Sequence, residues 1–219
     1  MIDDNNTIKF KILLLGDSSV GRRSLFKKLT SGVFMENAIA TIGVDRRSFN
    51  VEIEVTENEK KVKKLVNISL VNTAGQDRFR TITKSYIKGS DGTILMYDLT
   101  NKESFAHVEN WINIIYEAIG NMENSPYLIM LLGNKLDLIE NKEKEREVKL
   151  EEGENKCKEH KIMWGGECSV KDFSLDKFKE IISNFVTDIY GKIGKKSNSQ
   201  VTKVMGKAKK KRKKKCGFF

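Results

Sequence analysis

Hydrophobic positions along the chain fall into short continuous runs, alternating runs and helical stripes, and their order predicts a layered fold. Lys9–Leu15 is an apolar run that stops at Gly16, as a buried strand does before a turn. Thr93–Tyr97 and Tyr127–Leu132 are also continuous and apolar, which is the pattern of parallel strands buried on both faces. Val51–Val55 alternates Val and Ile with Glu, and Val62–Val71 is a second β-rich stretch beyond the polar Thr56–Lys61. That pair predicts a hairpin with one exposed face. Ile162–Trp164 predicts a further short strand.

Helical stripes lie between these strands. Leu25, Phe26 and Leu29 share a face over Arg22–Leu29. Phe105, Val108, Trp111, Ile112, Ile115 and Ile119 do so over Ser104–Ile119, with Ser104 as N-cap or first-turn residue. Lys144–His160 predicts a charged helix and Leu175–Ile189 a closing amphipathic one. Strands alternating with helices give an α/β sheet, mostly parallel, with one antiparallel edge hairpin. No internal repeat interrupts the order. The spacing predicts a short extension over Met1–Thr7, one domain over residues 8–189, and a disordered polybasic tail over residues 190–219, where periodicity gives way to lysine-rich low complexity.

Composition changes this picture in one respect. The chain has 219 residues and a formal net charge of +10. From Gly191 onward it carries twelve Lys/Arg and no Asp/Glu, which leaves 28 basic against 30 acidic residues in the body. The basicity therefore belongs to the tail, and the body is not a nucleic-acid-binding surface by charge. No apolar run reaches the length of a membrane-spanning helix, and Met1–Thr7 is too polar for a secretory signal. Cys157, Cys168 and Cys216 are far apart, without disulfide or zinc spacing, as in a chain from a reducing compartment. His107 and His160 read as surface polar positions without a role.

The candidate chemistry begins after the first strand. Gly16, Asp17, Ser18, Ser19, Val20, Gly21, Arg22, Arg23 and Ser24 lie between that strand and the first helix. Glycines at both ends of such a loop let backbone N–H groups turn inward around phosphate oxygens, and the helix N-terminus adds its dipole. Viewed alone, the loop is also compatible with an ordinary glycine-bounded turn. Asn134, Lys135, Leu136 and Asp137 follow directly on the apolar run Tyr127–Leu132. A carboxylate at Asp137 can accept hydrogen bonds from guanine N1–H and the exocyclic amine, which adenine does not offer. Glu167, Cys168, Ser169, Val170 and Lys171 end the last strand and can present a backbone N–H to guanine O6. Ligands of such sheets bind at the carboxyl ends of strands.

With these motifs in order, the chain resembles a Ras-superfamily small GTPase and, within it, the Rab family, over roughly Ile8–Ile189. Thr41, Ile42, Gly43, Val44 and Asp45 resemble a Rab switch I. Asn72, Thr73, Ala74, Gly75, Gln76, Asp77, Arg78 and Phe79 are similar to the family's Asp-Thr-Ala-Gly-Gln-Glu-Arg-Phe. Tyr97 to Thr100, Ser104, Phe105 and Trp111 also match. The resemblance implies a P-loop fold with a mostly parallel six-stranded sheet and helices on both faces. It implies GTP/GDP as ligand. Thr41 would reach magnesium and the γ-phosphate, Gly75 would donate to the γ-phosphate, Gln76 would orient the attacking water, and Phe34 would lie against the guanine. Ser169, Val170 and Lys171 join Asn134, Lys135 and Asp137 on the base.

Three departures fall on one spot. Arg22 replaces the phosphate-loop lysine, Arg23 the magnesium-binding Ser/Thr, and Asn72 the aspartate of the magnesium shell. Magnesium takes hard oxygen ligands in octahedral geometry, so its binding here is expected to be weak or absent. Serine to arginine and aspartate to asparagine each add one positive charge, together the charge of the missing ion. Two readings stay open: arginines that neutralise the phosphates directly, and a degenerate site that binds nothing tightly. In both, hydrolysis is slow or lost. The positions of the usual Rab effector aromatics hold Arg46, Val71 and Tyr86; two aromatic anchors are lost, so generic Rab effectors are not expected to bind, and the chain is expected to be a monomer.

The tail ends in Lys207–Lys215, with nine residues of which all but Ala208 are basic, then Cys216, Gly217, Phe218 and Phe219. Cysteine at that place is a prenylation pattern. A lipid on Cys216 plus a polybasic patch makes a two-signal anchor for the cytosolic face of an internal or plasma membrane. A solvated lysine run and nuclear import are the competing readings. At the level of function, the sequence supports a Rab-like switch in vesicle traffic and, as an alternative, a non-hydrolysing scaffold held in one state.

Overall fold

A computed structural model describes residues 8–31, 44–57, 59–73, 80–120, 122 and 125–193. Elements follow in the order β1 (Ile8–Gly16), α1 (Arg22–Ser31), β2 (Val44–Glu57), β3 (Lys60–Thr73), α2 (Arg80–Lys88), β4 (Gly92–Asp98), α3 (Lys102–Ile119), β5 (Leu128–Asn134), α4 (Leu136–Glu140), α5 (Leu150–His160) and β6 (Met163–Glu167). A closing helix, α6, covers residues 175–193. The six strands form one sheet in the order β2-β3-β1-β4-β5-β6. Only β2 and β3 run antiparallel; β1 lies parallel to β3 and β4, β5 to β4, and β6 to β5. The α/β architecture with a single antiparallel edge pair is the one that the alternation of runs predicts.

Each face of the sheet buries its own core. On one face, Phe10, Ile12 and Leu14 of β1 meet Leu25 and Phe26 of α1 and Phe178, Ile182, Phe185 and Ile189 of α6. On the other, Leu13 and Leu15 meet Ile87 of α2 and Phe105, Val108, Ile112 and Ile115 of α3. Alternate residues of one strand thus feed two cores, which is why β1 reads as a continuous apolar run. At about 1.5–3 kcal/mol for each large apolar side chain buried, the two layers fix strand order and register. Because β1, β3, β4, β5 and β6 share one direction, their C-terminal residues Gly16, Thr73, Asp98, Asn134 and Glu167 line one edge of the sheet.

Some boundaries differ from the sequence expectation. The hairpin strands are longer than Val51–Val55 and Val62–Val71: the ladder runs from Val44 opposite Thr73 to Glu57 opposite Lys60, and at the latter end Lys64 pairs with Glu57 at 2.5 Å. Helix α3 is capped by Asn101, whose side chain accepts from Ser104 N at 2.9 Å, so Ser104 is the first-turn residue. The charged helix expected from Lys144 begins only at Leu150. Before it, Val148 is fully buried, and Glu147 N–H and Val148 N–H both donate to the Leu99 carbonyl, at 3.0 and 3.2 Å. Those bonds hold the segment extended and compete with a helix there. Helices α2 and α4 have no counterpart in the pattern reading, and α6 continues past Ile189 with Tyr190 and Ile193 packed against the core.

Candidate functional site

The phosphate loop is shaped by positions that reject side chains. Gly16 has φ +131°, and a β-carbon there would stand 2.3 Å from the Met96 carbonyl oxygen of β4. Gly21 has φ +100°, and its β-carbon would stand 2.1 Å from Asn134 Nδ2. Ser19 adopts a left-handed conformation at φ 66°. Leu25 N–H returns to the Gly21 carbonyl at 2.9 Å, so the loop passes directly into the first turn of α1.

Two charged residues of this loop are engaged by groups far off in sequence. The Asp17 carboxylate accepts Trp111 Nε1–H at 2.8 Å and pairs with His107 Nδ1 at 2.6 Å. Its side chain therefore ties the loop to α3, and His107 is a loop anchor, not the surface residue without a role that the sequence suggests. Arg22 is 7% exposed. Its Nη1 donates to the Thr73 carbonyl at the end of β3 at 2.6 Å, and its Nε reaches the Asp17 carbonyl at 3.3 Å. Burial pulls the guanidinium pKa down to about 10, with Asp17 opposing the shift, so it stays cationic at neutral pH. Asn72, buried beside Thr73, lies opposite Leu14 of β1 and Asp45 of β2. Arg23 and Ser24 follow in the first turn of α1, half-buried.

A second loop system gathers at the ends of β5 and β6. Asn134 is buried; its Nδ2 donates to the Val20 carbonyl at 2.8 Å and its Oδ1 accepts Val170 N–H at 3.0 Å. One amide thus joins the phosphate loop to the turn after β6. Lys135 is left-handed at φ 72°, and its ammonium pairs with Asp98 Oδ2 at 2.7 Å. Asp98 Oδ1 accepts both Thr100 N–H and its hydroxyl, at 2.9 and 2.8 Å. Asp137, in the first turn of α4, is 7% exposed, and among the described residues nothing donates a hydrogen bond to its carboxylate. A carboxylate that no neighbouring group engages fits a ligand that brings N–H groups. Ser169 is engaged with Asp172, donating its hydroxyl to Oδ2 at 3.1 Å and accepting Asp172 N–H at 3.0 Å. The Cys168 thiol beside Asn134 is buried, and its pKa is pushed up to about 12.

The structure thus brings Gly16 to Ser24, Asn134, Lys135, Asp137, Ser169, Val170 and Lys171 to the C-terminal edge of the sheet. Phe34, Thr41, Gly75, Gln76 and Cys216 lie outside the described residues. Of the effector-aromatic positions, Arg46 is exposed and donates to Ser69 Oγ at 2.9 Å, Val71 is buried in the core, and Tyr86 is half-buried. The Thr73 carbonyl, His107 and Asp98 belong to the site's frame but carry no local sequence signal, because each acts through a partner at least tens of residues away.

A glycine-turned loop between β1 and α1, linked by one asparagine to the turn after β6, has the form of a phosphate-loop nucleotide-binding domain of the GTPase class. A sequence model of the Ras family matches residues 11–191, and the chain belongs to that family as a Rab-like small GTPase. Ras-related protein Rab-19 of Xenopus laevis is 41% identical over 172 residues, covering 78% of this chain and 72% of its own. Ras-related protein Rab-13 of Rattus norvegicus is 35% identical over 195 residues, 89% of this chain and 86% of its own. Ras-related protein Rab-8B of Homo sapiens is 36% identical over 214 residues, 96% of this chain and 94% of its own. No helix among the described residues is long and apolar enough to cross a membrane.

Proposed function

We propose that this chain is a membrane-anchored guanine-nucleotide switch of vesicle traffic whose phosphate site is neutralised by arginine in place of magnesium. The observation that carries the reading is the buried Arg22 guanidinium beneath the phosphate loop, bonded to the Thr73 carbonyl at 2.6 Å. Arg23 follows it where a metal-binding hydroxyl stands in the family, and the neutral, buried Asn72 stands where a carboxylate does. That donor set does not fit a magnesium ion. It offers a cation and an amide where the ion takes anionic or hydroxyl oxygens, and guanidinium charge repels a second cation. The same charge favours phosphate, whose oxygens arginine receives with well-directed N–H groups.

The rest of the site keeps its guanine chemistry. Asp137 is set to accept N1–H and the exocyclic amine, and the turn at Ser169, Val170 and Lys171 faces the keto side by resemblance to the family. Asn134 couples the base loop to the phosphate loop through its bonds to Val20 and Val170. Hydrolysis in this family is positioning plus charge stabilisation. Gln76 retains the water-orienting residue type, but the missing metal charge makes turnover slow or absent. Cys216 and the lysines before it supply the anchor to a cytosolic membrane face.

A second reading is favoured by the same contact. Arg22 bonds the carbonyls of Asp17 and Thr73 at once, and so clamps the phosphate loop to the end of β3. A clamp of that kind suits a scaffold fixed in one state. Single-turnover hydrolysis of bound GTP separates the two. A switch hydrolyses GTP faster when an activating protein is added, whereas a scaffold shows no turnover and binds its partner equally with GDP, GTP or neither. A fast intrinsic rate that requires magnesium contradicts both.

A further inference from the structure

Lys28 lies in the last turn of α1, the helix that the phosphate loop opens. Its ammonium donates to two consecutive carbonyls, Val170 O at 2.8 Å and Lys171 O at 2.7 Å. Lys28 shares the lining of a small apolar cavity with Leu25, Leu29, Phe173 and Phe178. These two carbonyls belong to the turn that follows β6, whose three residues Ser169, Val170 and Lys171 are read above as the base side of the guanine site.

The bonding has a consequence for the N–H groups of that turn. The Val170 carbonyl and the Lys171 N–H are two ends of one peptide group, and the Lys171 carbonyl and Asp172 N–H are two ends of the next. A cation on the carbonyl end polarises the group and makes its N–H a stronger donor. The neighbouring N–H groups are fixed by Asn134 Oδ1 on Val170 and by Ser169 Oγ on Asp172. Lys28 is therefore placed both to hold the turn and to sharpen its donor character. Burial depresses the Lys28 pKa, with Asp172 and Cys168 opposing the shift.

We propose that Lys28 is a specificity-determining positioning residue for the purine, holding and polarising the turn after β6 so that it prefers a keto acceptor at position 6, as in guanine, over an amine, as in adenine. The inference rests on the guanine reading of that turn and is separable from the question of the metal. Its role is indirect, since Lys28 acts through the backbone of Val170 and Lys171.

The test compares the full chain with K28M and K28R, measuring affinities for GDP, for 6-thio-GDP, whose sulfur is a weaker acceptor at position 6, and for IDP, which lacks the exocyclic amine. All three carry the same diphosphate, so any binding to the basic tail cancels in the ratios. K28M is expected to weaken GDP about tenfold, as loss of a charge-assisted hydrogen bond does. It is expected to shrink the preference for GDP over 6-thio-GDP and leave the preference for GDP over IDP, which reads Asp137, unchanged; K28R restores the first preference. Should K28M unfold, K28Q keeps a donor without the charge and serves the same comparison. If the first preference survives the loss of the charge, or both preferences fall in proportion, Lys28 is a packing residue and the inference is overturned. A wild-type chain that binds none of the three nucleotides overturns the guanine reading and this inference with it.

Discussion

At Gly21 the loop has no room for a methyl group: the 2.1 Å approach to Asn134 Nδ2 would push the amide off both the Val20 carbonyl and the Val170 N–H. Gly21→Ala is expected to cost at least about 2 kcal/mol, from overpacking at a positive φ, and to weaken GDP binding by more than the loss of stability explains. Denaturant melts with and without GDP check both parts. The glycines, the Asn134 to Asp137 motif and the turn at Ser169 were legible in the sequence because their chemistry is local and ordered along the chain. The anchoring of Asp17 by His107 and Trp111 was not, since it joins residues 90 and 94 positions apart. Nor was the fate of Arg22. The fold gives two of its N–H groups to the carbonyls of Asp17 and Thr73, a bonding that no local pattern carries, while the group keeps its charge beside the loop.

Element boundaries follow from packing that the pattern does not contain. Helix α5 sits close on the sheet because residue 153 is glycine; a β-carbon there would meet Trp164 Cη2 at 2.7 Å and Tyr97 Oη at 2.8 Å. Gly153→Ala is therefore expected to destabilise the fold by about 1–3 kcal/mol through overpacking, even though alanine favours an isolated helix by up to about 1 kcal/mol. Thermal unfolding decides the sign: a variant that melts higher than the parent shows propensity winning over the clash. The same helix is clasped to α3 by Lys156 and His160, both 2.9 Å from Glu109 Oε2. His160 thus has a structural partner that a polar-surface reading misses. Buried strands and α3 were legible because continuous apolar runs and a long stripe are strong signals. The short α4 was not, and residues 144–149 looked helical because charged residues fit a helix and an extended surface segment equally well.

For the whole molecule, charge divides into a nearly neutral body and a tail with twelve basic residues from Gly191 onward. Each basic residue near an anionic leaflet adds about 1 kcal/mol, so in the proposed anchor the lysines and a single lipid on Cys216 would reinforce one another. Cys216→Ser is expected to move most of the protein from membranes to the cytosol, and cell fractionation tells; a variant that stays on the membrane, or a wild type that concentrates in the nucleus, contradicts the anchor. In the body, the parallel strands deliver the described site segments, Gly16 to Ser24, Asn134 to Asp137 and Ser169 to Lys171, to one edge of the sheet, and the buried Arg22 places a cation there at neutral pH. If arginine charge does the work of a divalent ion, nucleotide retention is independent of metal. The direct measurement is the release rate of bound GDP from the purified full chain, with and without excess EDTA. The arginine account predicts the same slow rate in both and no stoichiometric magnesium in the protein. A release rate that rises steeply on chelation, with magnesium present one to one before it, would contradict it.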